Sequence, residues 1–245
     1  MSNSATLNRV AFIIGGGSNV GIHVALKLRQ EGYHVALGSR NPDAAALKEK
    51  DLFPVSVDGT SSASIKRAFD LVRTNLGEPG VVVYNVGLHY QPPLANDPLS
   101  VSSDDFAKSC NLEHGVFVAA QEALASFRSN KDSTPKVFIS TGNLLPFLKD
   151  MPPSFLALAS QKVTMATMMD YASRAYAAEG IRFHYATLVG PDGAIPNLDP
   201  RAEVGFFNSG PAHAEAYWNL ISADTVKRWD YRFTYDGKPF KVEAI

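Results

Sequence analysis

The sequence predicts a doubly wound α/β fold, with a mostly parallel sheet of seven strands in one domain over residues 1–245. Short apolar runs with strand character alternate with segments of helical apolar spacing along the chain. The turns between them are short, as parallel crossovers require. The first run, Val10–Ile14, feeds a glycine-rich turn, Gly15-Gly16-Gly17-Ser18-Asn19-Val20-Gly21, which opens straight into a helix. Strand, glycine turn and helix together offer backbone N–H groups and a helix N-terminus to a phosphate. A tight turn alone would also use a glycine triplet, so the local pattern leaves both readings open.

In order, Val10–Ile14 is expected as the first strand and Ser18–Glu31 as the first helix, stopped by Gly32. Tyr33–Leu37 is strand two, Pro42–Glu49 a short alanine-rich helix and Phe53–Val57 strand three. Ser61–Leu76 places Ile65, Ala68, Phe69 and Val72 on one helical face and ends at Gly77, before strand four at Gly80–Tyr84. Asp104–Phe127 and Phe155–Glu179 read as long helices around strand five, Lys136–Ser140. Ile181–Leu188 is strand six. Gly190–Gly210 holds three prolines and four glycines and reads as a long functional loop. His213–Ile221 is a helix and Tyr231–Tyr235 the seventh strand.

The totals narrow the function classes. A formal net charge of −1 gives no global field toward nucleic acid or an anionic membrane. No apolar run approaches the roughly 20 residues of a membrane helix. The segment Met1–Asn8 is polar, without a signal-peptide hydrophobic region, so a cytoplasmic location is expected. The single cysteine, Cys110, excludes an intramolecular disulfide and a cysteine-cluster metal site, and no metal is expected. Its apolar neighbours suggest a core position.

Taken together, these features resemble the short-chain dehydrogenase/reductase family, over nearly the whole chain. Aligned on Gly21, Ala25 and Gly32, the family's Thr-Gly-x3-Gly-x-Gly pattern falls on Ile14, Gly15, Gly16-Gly17-Ser18, Asn19, Val20 and Gly21. Asn19 replaces the middle glycine, and asparagine tolerates left-handed backbone better than most residues. The resemblance implies a Rossmann domain holding a dinucleotide on Gly15, Gly17, Ser18, Asn19, Val20 and Gly21. It implies an adenine contact from Asp58, and it sets Tyr84-Asn85-Val86-Gly87 where the family has Asn-Asn-Ala-Gly. Val189 and Gly190 after strand six complete the expected cofactor residues. Asn111 takes the asparagine position of the next helix, Ser140-Thr141 the serine position with Thr141 as the candidate, and Lys162 that of the ribose-gripping lysine.

Cofactor preference is read from Ser39-Arg40 at the end of strand two. A carboxylate there would take the adenosine ribose hydroxyls, whereas a guanidinium suits a 2′-phosphate, so NADP(H) is expected. A solvated loop arginine is the plain alternative.

One landmark is missing. The family's proton-donating tyrosine lies four residues before the lysine, and that position is Leu158. Leucine neither donates nor accepts a proton, so the ordinary acid route is closed. Two classes of function stay open. One is an atypical NADPH-dependent reductase of a carbonyl or an imine/iminium group on a small organic substrate, secondary metabolites among the candidates. The other is an NADP(H)-binding protein with non-redox catalysis or a sensing role. Thr141-Gly142-Asn143, Pro191-Asp192-Gly193 and Ala212-His213-Ala214-Glu215 resemble a divergent fungal group that generally lacks the tyrosine. That group includes bifunctional reductase/Diels–Alderases of indole alkaloid pathways.

Asp192 is the candidate acid or counter-ion, against a plain turn pair with Gly193. His89, Tyr90, Asn143 and Leu158 are candidate substrate contacts at the carboxyl edge of the sheet. His184 is expected inside the protein, and His213 as structural or beside the substrate. By resemblance the two long helices pair across a homodimer or tetramer interface, with Ala157, Thr164, Met165, Met168 and Ala172 as its contact surface.

Overall fold

The computed structural model describes residues 8–130, 135–224 and 228–241. Most of the polar Met1–Asn8 segment therefore lies outside the described residues. The first strand, β1 (Val10–Ile14), is buried at every position. Ala11 and Ile13 enter one apolar cluster; Val10, Phe12 and Ile14 enter the other. A strand covered on both faces in this way belongs at the centre of a parallel sheet. The others are β2 (His34–Ser39), β3 (Phe53–Ser56), β4 (Val81–Tyr84), β5 (Lys136–Thr141), β6 (Ile181–Leu188) and β7 (Asp230–Phe233). Their order is β3-β2-β1-β4-β5-β6-β7. Every strand pairing is parallel, so the expected mostly parallel sheet is wholly so.

Helices close both faces. On one lie α1 (Val20–Gln30) and α6 (Gly210–Ile221), through Val24, Leu28, Tyr217 and Leu220. On the other lie α3 (Ser62–Asn75), α4 (Ser103–Ser129) and α5 (Leu156–Ala175), through Phe69, Val116 and Met165. The short α2 (Ala44–Glu49) is capped by Asp43, whose carboxylate accepts from the Ala46 amide at 3.1 Å. Arg182 donates to the carbonyls of Leu220, Ile221 and Ala223 and closes the C-terminus of α6. The chain winds outward in both directions from β1 and β4. That reversal leaves a crevice at their carboxyl ends, where doubly wound folds bind ligands.

Three expectations need correction. Cys110 is exposed rather than in the core, because the inward stripe of α4 runs through Ser109, Leu112 and Val116. Met165 is fully buried and Ala157 is 1% exposed, so these two do not form a free contact surface. The outward side of α5 instead carries Val163, Thr164, Thr167, Met168 and Tyr171 along a shallow groove. The first helix begins at Val20 rather than Ser18, because the glycine turn runs further before the chain coils.

Candidate active site

The glycine turn is held from three sides. Gly15 has φ +107°, and a β-carbon there would lie 2.3 Å from the Asn85 carbonyl oxygen. Only glycine fits. Asn85 Nδ2 donates to the Gly15 carbonyl at 2.9 Å, and the Gly15 and Gly16 amides donate to Gly38 O. A β-carbon at Gly21 would meet Gly15 O at 2.2 Å, so the first turn of α1 presses on the glycine run. Gly17, in contrast, faces open space with no atom within 4 Å of a β-carbon. No side chain caps α1. A close backbone cradle with an open middle and an uncapped helix start fits a pyrophosphate.

Asn19 acts differently from the expectation. Its φ of −94° is not left-handed, so backbone tolerance does not explain the residue. Its side chain instead donates to Phe206 O at 2.9 Å and accepts from the Gly210 amide at 2.7 Å. The turn is thereby tied to the end of the 190–210 loop.

The remaining cofactor candidates follow the carboxyl ends of β2, β3, β4 and β6. Asp58 sits past β3, with one carboxylate oxygen accepting from the Thr60 amide and hydroxyl. Ser39 ends β2 and Arg40 follows it, exposed. Val86 packs beside Gly59, and Gly87 lies beside the Lys162 ammonium. Val189 is buried after β6, and the Gly190 amide donates to Ala194 O.

Lys162 is 6% exposed, and its Nζ donates to the Thr141 carbonyl at 2.8 Å. Burial pushes its pKa down to about 8, because the charged form loses hydration there. Along β5, Val137 and Ile139 point to the α1/α6 layer and Phe138 to the α3–α5 layer. Alternation therefore sends Ser140 toward α3–α5 and Thr141 toward α6. Among the described residues, the buried Ser140 hydroxyl has no hydrogen-bond partner. Thr141 Oγ1 accepts from the Tyr217 hydroxyl at 2.8 Å. Leu158, in the first turns of α5, is half-buried.

The lysine has a stability consequence. Its folded pKa lies below the unfolded 10.5, so the unfolded chain binds more protons between about pH 8 and 10.5. Below pH 8 the folded protein carries the full cost of the buried ammonium. Lys162→Met is expected to be more stable than the parent at pH 7 by about 1–3 kcal/mol. The gap should shrink from pH 8 to 10.5, as read from urea unfolding across that range. A gap that is constant with pH would contradict a charged Lys162 at neutrality.

Other candidates are placed less centrally. Asn111 is exposed; α4 turns Ser109 and Leu112 inward and carries position 111 to the solvent side. The structure does not bring it to Lys162 and Thr141. Asp192 accepts from the Ala194 amide at 3.0 Å, and Gly193 next to it has φ +79°, which is the geometry of a turn pair. Asn143 Oδ1 accepts from the Leu145 amide, and its backbone is tied to the Tyr185 hydroxyl. His89 stacks on Phe155 at 5.0 Å, and partial burial lowers its pKa. Tyr90 lies under the Lys108 ammonium at 5.9 Å. Among the described residues no group of three or more His, Cys, Asp or Glu is gathered to hold a metal. No helix among them is long and apolar enough to cross a membrane.

Comparison with known proteins decides the family. The short chain dehydrogenase profile matches residues 9–189. The chain is a member of the short-chain dehydrogenase/reductase family. A relative in Cryptosporiopsis sp. (strain 8999), the short chain dehydrogenase/reductase dmxR12, is 32% identical over 231 residues, covering 90% of this chain and 89% of the relative. Among solved folds, the 3-ketoacyl-(acyl-carrier-protein) reductase of Brucella melitensis complexed with NADH superposes with a TM-score of 0.71 at 16% identity. That match covers 92% of this chain and 96% of the other. A short-chain dehydrogenase/reductase of Serratia marcescens gives a TM-score of 0.72 at 17% identity, with 94% and 97% covered.

Two residues of this short-chain dehydrogenase/reductase escaped the sequence reading. Tyr217 lies in a helix assigned by its apolar spacing, and nothing local marks its hydroxyl. Gln161, fully buried beside Lys162, donates to Leu88 O at 2.8 Å and to the Ser109 hydroxyl, fixing the segment after β4. A polar residue beside the lysine was the available signal.

Proposed function

We propose that this chain is an atypical NADPH-dependent reductase of a carbonyl or imine/iminium group on a small organic substrate. The observation that carries this reading is the pair of Lys162 and Thr141 at the carboxyl end of β5 and beside the Gly87 backbone. The glycine cradle would hold the pyrophosphate, Asp58 and Val86 the adenine side, and Asn85, Gly87, Val189 and Gly190 the nicotinamide side. The bound cofactor supplies a hydride. Lys162 would hold a ribose hydroxyl through its ammonium, and Thr141 would hold the polar atom of the substrate. Leu158 offers no proton, which is why the chemistry is atypical.

Ser39 and Arg40 favour NADP(H), since Arg40 is exposed and free to meet a 2′-phosphate. Arg40→Ala is expected to weaken NADPH binding roughly tenfold and leave NADH unchanged, by fluorescence titration. Equal losses for both nucleotides would remove the NADP assignment. The reading itself is tested by loss of NADPH absorbance with a panel of ketones, quinones and cyclic imines. Tight NADPH binding with no turnover would favour the second reading, non-redox catalysis of the cyclase or Diels–Alderase kind or a sensing role, to which Leu158 already points. The groove on α5 is consistent with a homodimer or tetramer, and a cytoplasmic location belongs to the same reading.

A further inference from the structure

Tyr217 is fully buried, with its ring edge-on to His213 at 5.6 Å and to Phe233 at 6.3 Å. Its hydroxyl donates to Thr141 Oγ1 at 2.8 Å. A threonine hydroxyl has one hydrogen to give and lone pairs to receive. Once Tyr217 has filled a lone pair, the hydrogen of Thr141 must point elsewhere, and among the described residues nothing accepts it. The Thr141 carbonyl is meanwhile occupied by Lys162. Backbone and side chain of Thr141 are thus both fixed, and one donor remains free at the carboxyl end of β5.

We propose that Tyr217 is a positioning residue that commits the Thr141 hydroxyl to donate to a carbonyl oxygen of the substrate. The inference rests on the reductase reading and favours a carbonyl within its substrate class, because a carbonyl oxygen offers lone pairs to that donor. Tyr217 is not itself the acid. Burial raises its pKa, and its hydroxyl is already committed to Thr141 Oγ1, so the phenol keeps its proton. In the reaction, hydride adds to the carbonyl carbon and the C=O π bond breaks toward oxygen. The oxyanion is held by the Thr141 hydrogen and takes its proton from water, releasing hydroxide. Thr141 and Tyr217 end as they began. Tyr217 therefore acts in the preorganised manner of an oxyanion-hole support.

The test is a double-mutant cycle of Tyr217→Phe and Thr141→Val. Phe keeps the ring and removes one oxygen, so melting and the KM for NADPH should stay near the parent values. On the best ketone of the panel, Tyr217→Phe is expected to lower kcat about 3- to 10-fold. In the Thr141→Val background the same change should have no further effect. An equal loss in both backgrounds, or no loss in either, overturns the proposal. If the parent protein oxidises NADPH with no panel member, the reductase reading fails separately. The cycle is then read from the affinity of acetophenone for the NADP+-saturated protein, with the same non-additive pattern expected. Equal affinities across the variants, or no binding to the parent, overturn the proposal.

Discussion

Gly15→Ala is expected to abolish NADPH binding and to lower the melting temperature by roughly 10 °C. Two costs add at this position. An alanine at φ +107° is strained by about 1–2 kcal/mol, and its β-carbon would sit 2.3 Å from Asn85 O. That oxygen belongs to backbone, so it cannot swing aside, and overpacking of this kind costs a further 1–3 kcal/mol or so. For a chain of this size each kcal/mol moves melting by about 2–4 °C. The cradle would also open at the point where the phosphates are expected to lie. Gly32→Ala is the control. Its φ of +85° carries the same strain, but no atom lies within 4 Å of the added carbon. It should show a smaller drop, by calorimetry, with unchanged NADPH titration. If the two variants bound NADPH equally well, the cradle assignment would fall.

Acid should destabilise this protein early, between about pH 6.5 and 4. His184 and His213 are each 1% exposed, and burial pushes the pKa of both down to about 4. The Nδ1 atoms lie beside the Arg228 and Ser209 carbonyls, so each Nδ1 carries the hydrogen and protonation would fall on Nε2. For His184 that atom is buried with no partner among the described residues. Both folded pKa values lie below the unfolded value of 6.5, so the unfolded chain binds more protons as pH falls through this window. Stability is complete above pH 6.5 and is lost on the way to pH 4. The combined loss by pH 4.5 is roughly 4–5 kcal/mol. Urea unfolding at pH 7, 5.5 and 4.5 measures it. A His184→Asn/His213→Asn protein should start less stable at pH 7 and show a flatter profile. An equally steep profile would shift the acid sensitivity to the carboxylates.

The sheet was legible because buried parallel strands write themselves as unbroken apolar runs, and VAFII or VVVY leaves little ambiguity. Helix faces were legible where the stripe was strong, as in α3. They were not where a helix is apolar on several sides. In α4 and α5, polar and apolar residues mix around the cylinder, and the rotation is set by what packs on each side. That is why Cys110 turned outward, Met165 and Met169 inward, and Asn111 away from Lys162. The candidate cofactor residues follow local chain geometry: a glycine at positive φ and an asparagine after a strand can be read from neighbours alone. The hydroxyl of Tyr217 reaches Thr141 from 76 residues away, and only the closed fold brings them together.

The bond from Asn19 to Phe206 and Gly210 spans 187 and 191 residues of sequence. Chains are made from the N-terminus, so β1, the glycine turn and α1 emerge long before these partners exist. Until residues 206 and 210 have left the ribosome, the side chain of Asn19 lacks both of these partners. The turn that opens the chain is thus among the last parts of the molecule to be completed. A nascent chain stalled anywhere before that point would display the fingerprint without its fastening.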